Sequence, residues 1–246
     1  MGKKGGSRHL KRWAASPIWP ISPKGYKWTV KPSPGPQRGR FCIPLLIVVR
    51  DVLGLAKNAR EARIIIKEGG IRVNGKTRRD EGFPVGPMDV CEIGEDKFRV
   101  LPHRSKGLIL HAIDEEEAGF RLCRIEGKSI VKGGDLQLNL HDGTNLLIRI
   151  KNPAKPVEDV YHRFDTLKLA IPSREILDHV RFGEDAYVLV LKGRNAGGHG
   201  VVTGVETRGT ESPIVVIRTK GGESIRSIRD YVFCIGSKKP WIGLAD

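Results

Sequence analysis

Residues 48–76 read VVRDVLGLAKNAREARIIIKEGGIRVNGK, and this stretch decides the fold of the first part of the chain. Asn58 is a preferred N-cap residue, and Glu61 stands at the third helical position in a variant of the capping box. A helix is therefore predicted to begin after Asn58 and to end near Glu68. Gly69-Gly70 provides the left-handed residue at which helices commonly stop.

A strand and a tight turn follow that predicted helix. Residues 71–73 alternate as a half-buried strand does, and Asn74-Gly75 is a strong signal for a two-residue turn. The apolar run within residues 43–52 predicts a helix before it, and residues 85–93 predict another turn and strand. Residues 42–100 are thus expected to form a compact α+β unit.

Basic residues surround the predicted helix. Arg60, Arg63 and Lys67 are spaced three and four residues apart, so they share one helix face. The guanidinium groups of Arg60 and Arg63 are suited to forked contacts with phosphate. The candidate RNA contacts of this unit are Lys57, Arg60, Arg63, Lys67, Arg72 and Lys76. A solvated helix face is the alternative that this pattern leaves open.

The first 41 residues are predicted to form a basic arm. Residues 1–40 contain ten Lys and Arg residues and no Asp or Glu, and their six prolines oppose regular structure. We expect this segment to be mobile alone and to order on RNA, with cations on phosphates and rings on bases. Its candidate RNA contacts are Lys3, Lys4, Arg8, Lys11 and Arg12. The alternative is that some of its rings (Trp13, Trp19, Trp28 and Tyr26) cover a neighbouring domain.

The rest of the chain is predicted to be mostly β. Short alternating runs divided by glycine turns predict a small β domain over residues 101–172. Residues 173–180 are expected to form one or two helical turns, and short strands from Asp185 onward predict a small barrel within residues 173–246. The expected fold class is therefore multi-domain, α+β and β, with the basic arm first.

The charge of the chain favours a polyanionic partner. Forty-three Lys and Arg residues against 28 Asp and Glu give a net charge of +15, and bound cations displace the counterions that condense on phosphates. Four widely spaced cysteines without a C-x-x-C pair oppose zinc knuckles and disulfide frameworks and fit buried positions in a reducing compartment. With neither a membrane-length apolar run nor a secretion signal, we expect a cytoplasmic protein without membrane contact.

A second motif lies at residues 190–202, which read VLKGRNAGGHGVV. Gly193, Gly197 and Gly200 stand where a strand turns tightly and re-enters, because bare backbone permits positive φ and close approach. The candidate RNA contacts of this loop are Lys192, Arg194, Asn195 and His199. A phosphate-binding loop is the competing interpretation, but no G-K-[ST] follows, so nucleotide chemistry is not expected.

Three resemblances rest on these motifs. Residues 48–76 resemble the RNA-binding domain shared by a universal small-subunit ribosomal protein, some RNA-modifying enzymes and tyrosyl-tRNA synthetases. The glycine spacing of residues 190–202 resembles the KOW motif of small SH3-like barrels in ribosomal proteins and transcription elongation factors. With the opening GGSRHLKR at residues 5–12, the order of parts resembles the e-type small-subunit ribosomal protein family S-four-e of archaea and eukaryotes.

That family resemblance implies a role in the architecture and assembly of the small ribosomal subunit. The implied partners are small-subunit ribosomal RNA and neighbouring ribosomal proteins, within cytoplasmic ribosomes. No cofactor, metal or small-molecule substrate is implied. The short tail after the predicted barrel favours an archaeal-type member over a longer eukaryotic one.

An RNA-modifying enzyme of the pseudouridine synthase type is the main alternative. Residues 162–166 read HRFDT and resemble the H-R-L-D motif of that class, in which the aspartate is catalytic. The likeness ends at Leu167-Lys168, and the roughly 70 residues before the predicted barrel leave little room for a catalytic domain. The structural interpretation is that residues 162–166 form a strand edge, with Asp165 near a turn and without a catalytic role. A transcription elongation factor would explain the KOW motif but not the α+β unit.

Overall fold

The computed structural model describes residues 7, 9–22, 24–37, 39–151, 157–207 and 212–244. These residues are mostly in β-strands, with few helices. They divide into two compact units. The first unit comprises the described residues up to Leu101 together with Ser105–Ala112, and the second comprises Pro102–Arg104 together with those from Ile113 onward.

The first unit is built on a five-stranded sheet in the order β5-β4-β7-β8-β9. Two short pairs, β1 with β2 and β3 with β6, accompany it. The strands are β1 (Leu10–Lys11), β2 (Trp28–Thr29), β3 (Ile43–Pro44), β4 (Ile71–Val73), β5 (Lys76–Thr77), β6 (Pro84–Val85), β7 (Val90–Ile93), β8 (Asp96–His103) and β9 (Gly107–Ala112).

Two helical segments pack on this sheet. The first is α-helical over Leu45–Ile47 (α1) and continues as a π-helix over Val48–Val52. The second, α2, spans Ala59–Glu68, as the sequence predicts. Its buried residues, Ala62 and Ile66, join α1 and the inward side of β4 in one apolar core, so the opposite face of α2 is left to the solvent.

The described part of the N-terminal segment packs on the first unit and does not project from it as an arm. Trp19 is only 4% exposed, and its Nε1 donates to the carbonyl of Cys42 at 2.5 Å. The amide of Leu108 donates to the carbonyl of Ile18 at 2.9 Å. The basic composition conceals this packing, because a few apolar side chains, including Ile18 and Ile21, provide the contact with the core.

The second unit contains two antiparallel sheets, and the first has the order β12-β11-β10-β13-β14. A short helix, α3 (Glu115–Ala118), precedes it. The strands are β10 (Phe120–Ile130), β11 (Leu136–Leu140), β12 (Asn145–Ile148), β13 (Thr166–Ala170) and β14 (Ile176–Val180). Its core contains Ile125, Leu138, Leu167 and Leu169.

The helical turns predicted over residues 173–180 are wrong, because Ile176–Val180 is a strand. Helical and extended periods are hard to separate over eight residues, and here the free edge of β13 decides the outcome by pairing Thr166 with Val180. The four-segment division of the chain stays a prediction. Strand β14 nevertheless pairs within the sheet of the third predicted segment, although its residues fall within the range predicted for the fourth.

The other sheet has the order β18-β17-β16-β15-β19 and is antiparallel. Valines such as Val188, Val190 and Val202 form its core with Ile217. The strands are β15 (Tyr187–Val190), β16 (His199–Glu206), β17 (Ile214–Arg218), β18 (Ser224–Ile228) and β19 (Val232–Gly236).

All four cysteines are free and buried, as expected of small core residues. Burial is the main cause that raises the pKa of the Cys42 and Cys234 thiols to about 12, so both are neutral at physiological pH. In the described part of the chain, every helix is too short or too polar to cross a bilayer.

Candidate nucleic-acid interface

The start of α2 is held by a reciprocal cap. The Asn58 Oδ1 accepts hydrogen bonds from the amides of Arg60 and Glu61 at 2.9 and 3.0 Å. In return, the Glu61 carboxylate accepts from the Lys57 amide at 2.8 Å and from the Asn58 Nδ2 at 2.7 Å. The predicted capping box is confirmed. Since Glu61 is used as a cap, its charge is directed at the helix N-terminus and not at the cations along the helix.

The cations predicted around α2 are all exposed. Burial of Ala62 and Ile66 turns the other side of the helix outward, and the hairpin of β4 and β5 follows the helix directly after Gly69, the left-handed C-cap with φ of 89°. We call this set the α2 face. Its members are Lys57, Arg60, Arg63, Lys67, Arg72 and Lys76.

Two members of the α2 face have acidic neighbours. Arg63 donates from Nε to the carboxylate of Glu81, and Arg72 Nη1 lies 4.0 Å from Glu92 across the β4–β7 pair. The other four members are Lys57, Arg60, Lys67 and Lys76. Within the described ranges, none of the four forms a side-chain ion pair. Their charges are therefore available to an external anion, whereas Arg63 must share or exchange its partner.

Two further cations extend this surface and were missed as candidates. The guanidinium of Arg79 lies against Gly69, where a Cβ added to the glycine would be 3.2 Å from the Arg79 Nε. Arg78 lies over the ring of Phe83, with Cζ 4.3 Å from the ring centroid. The basic run Lys76-Thr77-Arg78-Arg79 is the sequence signal that could have found them. A cation beside the end of α2 is also favourable for the helix dipole.

The hairpin that carries Arg72 and Lys76 is fixed by Asn74. This residue has a φ of 52°, the left-handed conformation that the predicted turn requires. Its Oδ1 accepts from the Val90 amide at 2.9 Å, and its Nδ2 donates to the buried carboxylate of Asp89 at 2.8 Å. Asn74 therefore holds the turn to the neighbouring strand and sets the position of both cations.

In the second unit, the predicted glycine loop connects β15 to β16. Gly193 and Gly197 both have φ of 84°, and a Cβ on Gly197 would lie 2.8 Å from the amide nitrogen of Arg104. A Cβ on Gly200 would lie 2.0 Å from the carbonyl oxygen of Arg218. A side chain at Gly197 or at Gly200 is thus excluded by neighbouring backbone, as the sequence motif predicts.

The polar side chains of the loop differ in what they touch. Arg194 is exposed, and Lys192 is half-buried. Asn195 donates from Nδ2 to the carbonyl of Arg226 at 3.0 Å, and the ring of His199 stacks on Tyr187 with centroids 6.1 Å apart. Asn195 and His199 therefore stabilise the loop itself, and Arg194 presents the outward charge.

The basic candidates of the N-terminal segment are only partly described. Lys3, Lys4 and Arg8 lie outside the described residues. Lys11 is exposed on β1. Arg12 donates from Nε to the Ser22 carbonyl at 3.0 Å and from Nη2 to the Ile21 carbonyl, so its guanidinium ties the segment together.

Asp165, the candidate catalytic residue of the enzyme alternative, is 1% exposed. Its carboxylate accepts from the amides of His162 and Phe182 at 2.8 and 2.9 Å. The Nε2 of His179 lies 2.9 Å from the same group. A carboxylate enclosed and bonded in this way holds three segments together and cannot reach a nucleoside.

One group of possible metal ligands exists among the described residues. Ligand atoms of Cys123, His141 and Asp142 lie within 4.8 Å of one another. Asp142, however, is paired with the Arg121 guanidinium at 2.5 Å, and His141 Nδ1 accepts from the Arg124 amide. A metal cation would have to compete with Arg121, so the group is better described as a buried polar network.

Comparisons with known proteins agree along the chain. Residues 4–37 match the RS4NT (NUC023) domain, residues 43–91 the S4 domain and residues 94–176 the ribosomal family S4e. The small ribosomal subunit protein eS4 of Aeropyrum pernix is 48% identical over 249 residues, covering 100% of this chain and 98% of its own. That of Staphylothermus marinus is 46% identical, covering 100% and 99%.

A solved structure supports the same assignment. The crystal structure of the 30S ribosomal protein S4e from Thermoplasma acidophilum superposes with a TM-score of 0.65 at 28% identity, covering 79% of this chain and 95% of that one. The S4 domain match falls on the unit that carries the α2 face. Identity of 48% along the whole chain shows that this protein belongs to the family of small ribosomal subunit protein eS4.

Proposed function

We propose that the chain binds the RNA of the small ribosomal subunit through the α2 face, with Arg60 and Lys67 as its main phosphate contacts. Membership of the eS4 family makes the chain a structural component of the small subunit and not an enzyme. The enzyme alternative gains no support from the relatives, and the enclosure of Asp165 opposes it.

The observation that carries the proposal is the set of unpaired, exposed cations on a rigid helix. Lys57, Arg60, Lys67 and Lys76 are displayed by a helix whose two ends are capped and by a hairpin held by Asn74. Placing four positive charges on one face costs repulsion, which an array of phosphates relieves by releasing its condensed counterions. Because phosphate contacts position a protein without reading bases, this face suits a structured RNA.

The glycine loop supplies the second proposed contact. The β15–β19 sheet with its loop at residues 190–202 is proposed to be a KOW-type, SH3-like barrel, supported by the two positive-φ glycines and by the backbone packed against Gly197 and Gly200. Arg194 is the proposed phosphate contact of this loop.

Lys3, Lys4 and Arg8 are proposed to add contacts from the N-terminal segment. The remaining surface is proposed to meet neighbouring proteins of the small subunit in cytoplasmic ribosomes.

Binding of a small-subunit ribosomal RNA fragment at several salt concentrations tests the α2 face. The double variant Arg60→Ala with Lys67→Ala removes two of its unpaired cations. The slope of log K against log salt should fall by about 1.4 to 1.8, since each neutralised phosphate contributes roughly 0.7 to 0.9. The matched control, Lys132→Ala with Lys220→Ala, removes the same charge from exposed turns of the second unit. Equal slopes for the two double variants would refute the α2 face as the contact.

A further inference from the structure

Three aromatic rings of the N-terminal segment are exposed, although they lie beside a core that buries a fourth. Trp13, Tyr26 and Trp28 are 93%, 67% and 51% exposed, whereas Trp19 is 4% exposed. A ring that the fold had recruited for packing would be covered as Trp19 is. The three exposed rings add little to the stability of the fold, so we look for a binding partner that would cover them.

The surroundings of Trp28 indicate what would cover it. Strands β1 and β2 place Lys11 directly opposite Trp28. The Nζ of Lys11 and the Nζ of Lys27 lie 6.0 and 5.8 Å from the Trp28 ring centroid. The ring of His9 lies 5.7 Å away at a tilt of 58°. A half-exposed ring with two ammonium groups close to it matches a nucleotide, which offers a flat base for the ring and a phosphate for the cations.

Tyr26 shows the same combination of a ring and a cation. The guanidinium carbon of Arg50 lies 5.4 Å from the Tyr26 ring centroid. Arg50 is also paired with Asp51 at 2.8 Å, so it is held in place beside the ring. The Arg50 side chain is only 14% exposed, so it backs the ring, and the exposed part of Tyr26 is the surface on which an unstacked base can pack.

The charge of the segment favours RNA over a protein as the occupant. Residues 1–40 carry ten Lys and Arg residues and no acidic residue, so a basic ribosomal protein would be repelled. Paired bases in an RNA helix are stacked on one another and are not available to a ring. We infer that Trp13, Tyr26 and Trp28 form stacking sites for unpaired bases of RNA, an inference that rests on the proposed RNA-binding function.

This inference separates two kinds of binding within one protein. The α2 face contacts phosphates, which single-stranded and duplex RNA both carry, and it should not distinguish them strongly. The exposed rings require free bases and should favour loops and unpaired segments. Loss of a ring should therefore weaken binding to single strands while leaving the salt dependence unchanged, because no cation is removed.

Tryptophan fluorescence of the full chain, titrated with a 12-nucleotide oligouridine and with an RNA duplex of the same length, tests the stacking sites. Oligouridine should quench the fluorescence of the unsubstituted chain. Trp28→Leu should weaken oligouridine binding about tenfold, and Trp13→Leu with Trp28→Leu should weaken it further and remove most of the quenching. Trp28→Phe, which keeps a ring, should stay within about threefold of the unsubstituted chain. Duplex affinity should change less than about twofold in every variant.

Unchanged oligouridine affinity in Trp28→Leu and in the double variant would overturn the inference, as would an equal loss of duplex binding. If oligouridine affinity is unchanged, the exposed rings are assigned to contact with a neighbouring protein and not with RNA. The Arg60→Ala, Lys67→Ala variant separates this result from the proposed function. If the α2 face binds phosphate, the salt slope of that variant falls by about 1.4 to 1.8, but the quenching at saturation is kept. Normal salt dependence with intact quenching would refute the α2 face and leave the stacking sites standing. Circular dichroism of each variant confirms that it is folded.

Discussion

Arg63 on α2 and Glu81 before β6 form an ion pair that joins the helix to the segment leading into β6, with Arg63 Nε as the donor. Both side chains remain partly exposed, so the pair itself adds little to stability. Its effect on function is larger, because Glu81 occupies one of the cations on the α2 face and places a negative charge beside it.

Neutralising this acid should strengthen RNA binding. In Glu81→Gln, Arg63 is released and a repulsive charge is removed, so the salt slope of ribosomal RNA binding should steepen by about one unit, with tighter binding at low salt. Fluorescence anisotropy with a labelled RNA fragment gives both quantities. Glu95→Gln removes the same charge from an exposed turn of the same unit and should change the slope much less. Identical behaviour of the two variants would show that Arg63 does not reach phosphate.

The reciprocal cap of α2 should be measurable as stability. Asn58→Ala leaves the amides of Arg60 and Glu61 without their acceptor, so the free energy of unfolding should fall by about 1 kcal/mol. Asn58→Ser keeps an acceptor for these amides without placing a second carboxylate beside Glu61, and should retain most of it. Urea denaturation followed by circular dichroism measures both. An alanine variant as stable as the unsubstituted chain would mean that the helix start needs no side-chain cap.

Acidification should destabilise the second unit through His141. Burial is the largest cause that lowers the pKa of His141 to about 4. Its Nδ1 accepts from the Arg124 amide at 3.2 Å, and its Nε2 is enclosed without a partner among the described residues. Between pH 6.5 and 4 the unfolded chain binds a proton that the folded chain does not, so stability falls as the pH falls.

Unfolding of His141→Gln at pH 7 and pH 5 isolates this effect. The stability lost between the two pH values should be smaller in the variant by about 1 to 2 kcal/mol, below the full value because His141 as a whole residue is only half-buried. Asp142 contributes at lower pH. Burial is the largest single cause and raises its pKa, but Arg121, His141 and the hydrogen bonds from Thr144 together bring that pKa below its usual value, so the loss of its contribution is confined to below about pH 4. An equal loss in both proteins would contradict a buried neutral His141.

Two glycines on β16 provide a matched test of close backbone approach. A Cβ at Gly200 would lie 2.0 Å from the Arg218 carbonyl oxygen, whereas a Cβ at Gly204 would meet nothing within 4 Å. Gly200→Ala should therefore lower the free energy of unfolding by roughly 2 kcal/mol or more, and Gly204→Ala should change it by less than about 1 kcal/mol. Thermal melts distinguish these outcomes. Similar melting temperatures for both variants would contradict the claim that close backbone packing requires a glycine at position 200.

The parts of the fold predicted from sequence are those whose signals are local. The cap at Asn58, the stop at Gly69 and the turn at Asn74 each depend on residues within four positions, and all three are confirmed. The strand β14 was missed because its conformation is set by the edge of β13. Strand β18 was not predicted, since its alternation of Ser and Arg with Ile carries little apolar signal.

The candidate site was predictable in outline but not in detail. Helical spacing was enough to place Arg60, Arg63 and Lys67 on one exposed face. The pairing of Arg63 with a carboxylate 18 residues away depends on tertiary structure, which no local pattern contains. The same is true of Trp19, whose acceptor at Cys42 lies 23 residues away. Composition alone grouped Trp19 with the exposed rings.

Directed hydroxyl-radical probing tests most directly whether the α2 face lies on ribosomal RNA. The four native cysteines are buried, so an iron chelate attached to Arg60→Cys reports on position 60 alone. Once the labelled chain is incorporated into small subunits and recovered with them by sedimentation, strand cleavage is expected at a few defined segments of the ribosomal RNA. Subunits that contain the labelled chain but show no cleavage beyond that of unlabelled protein would contradict the account.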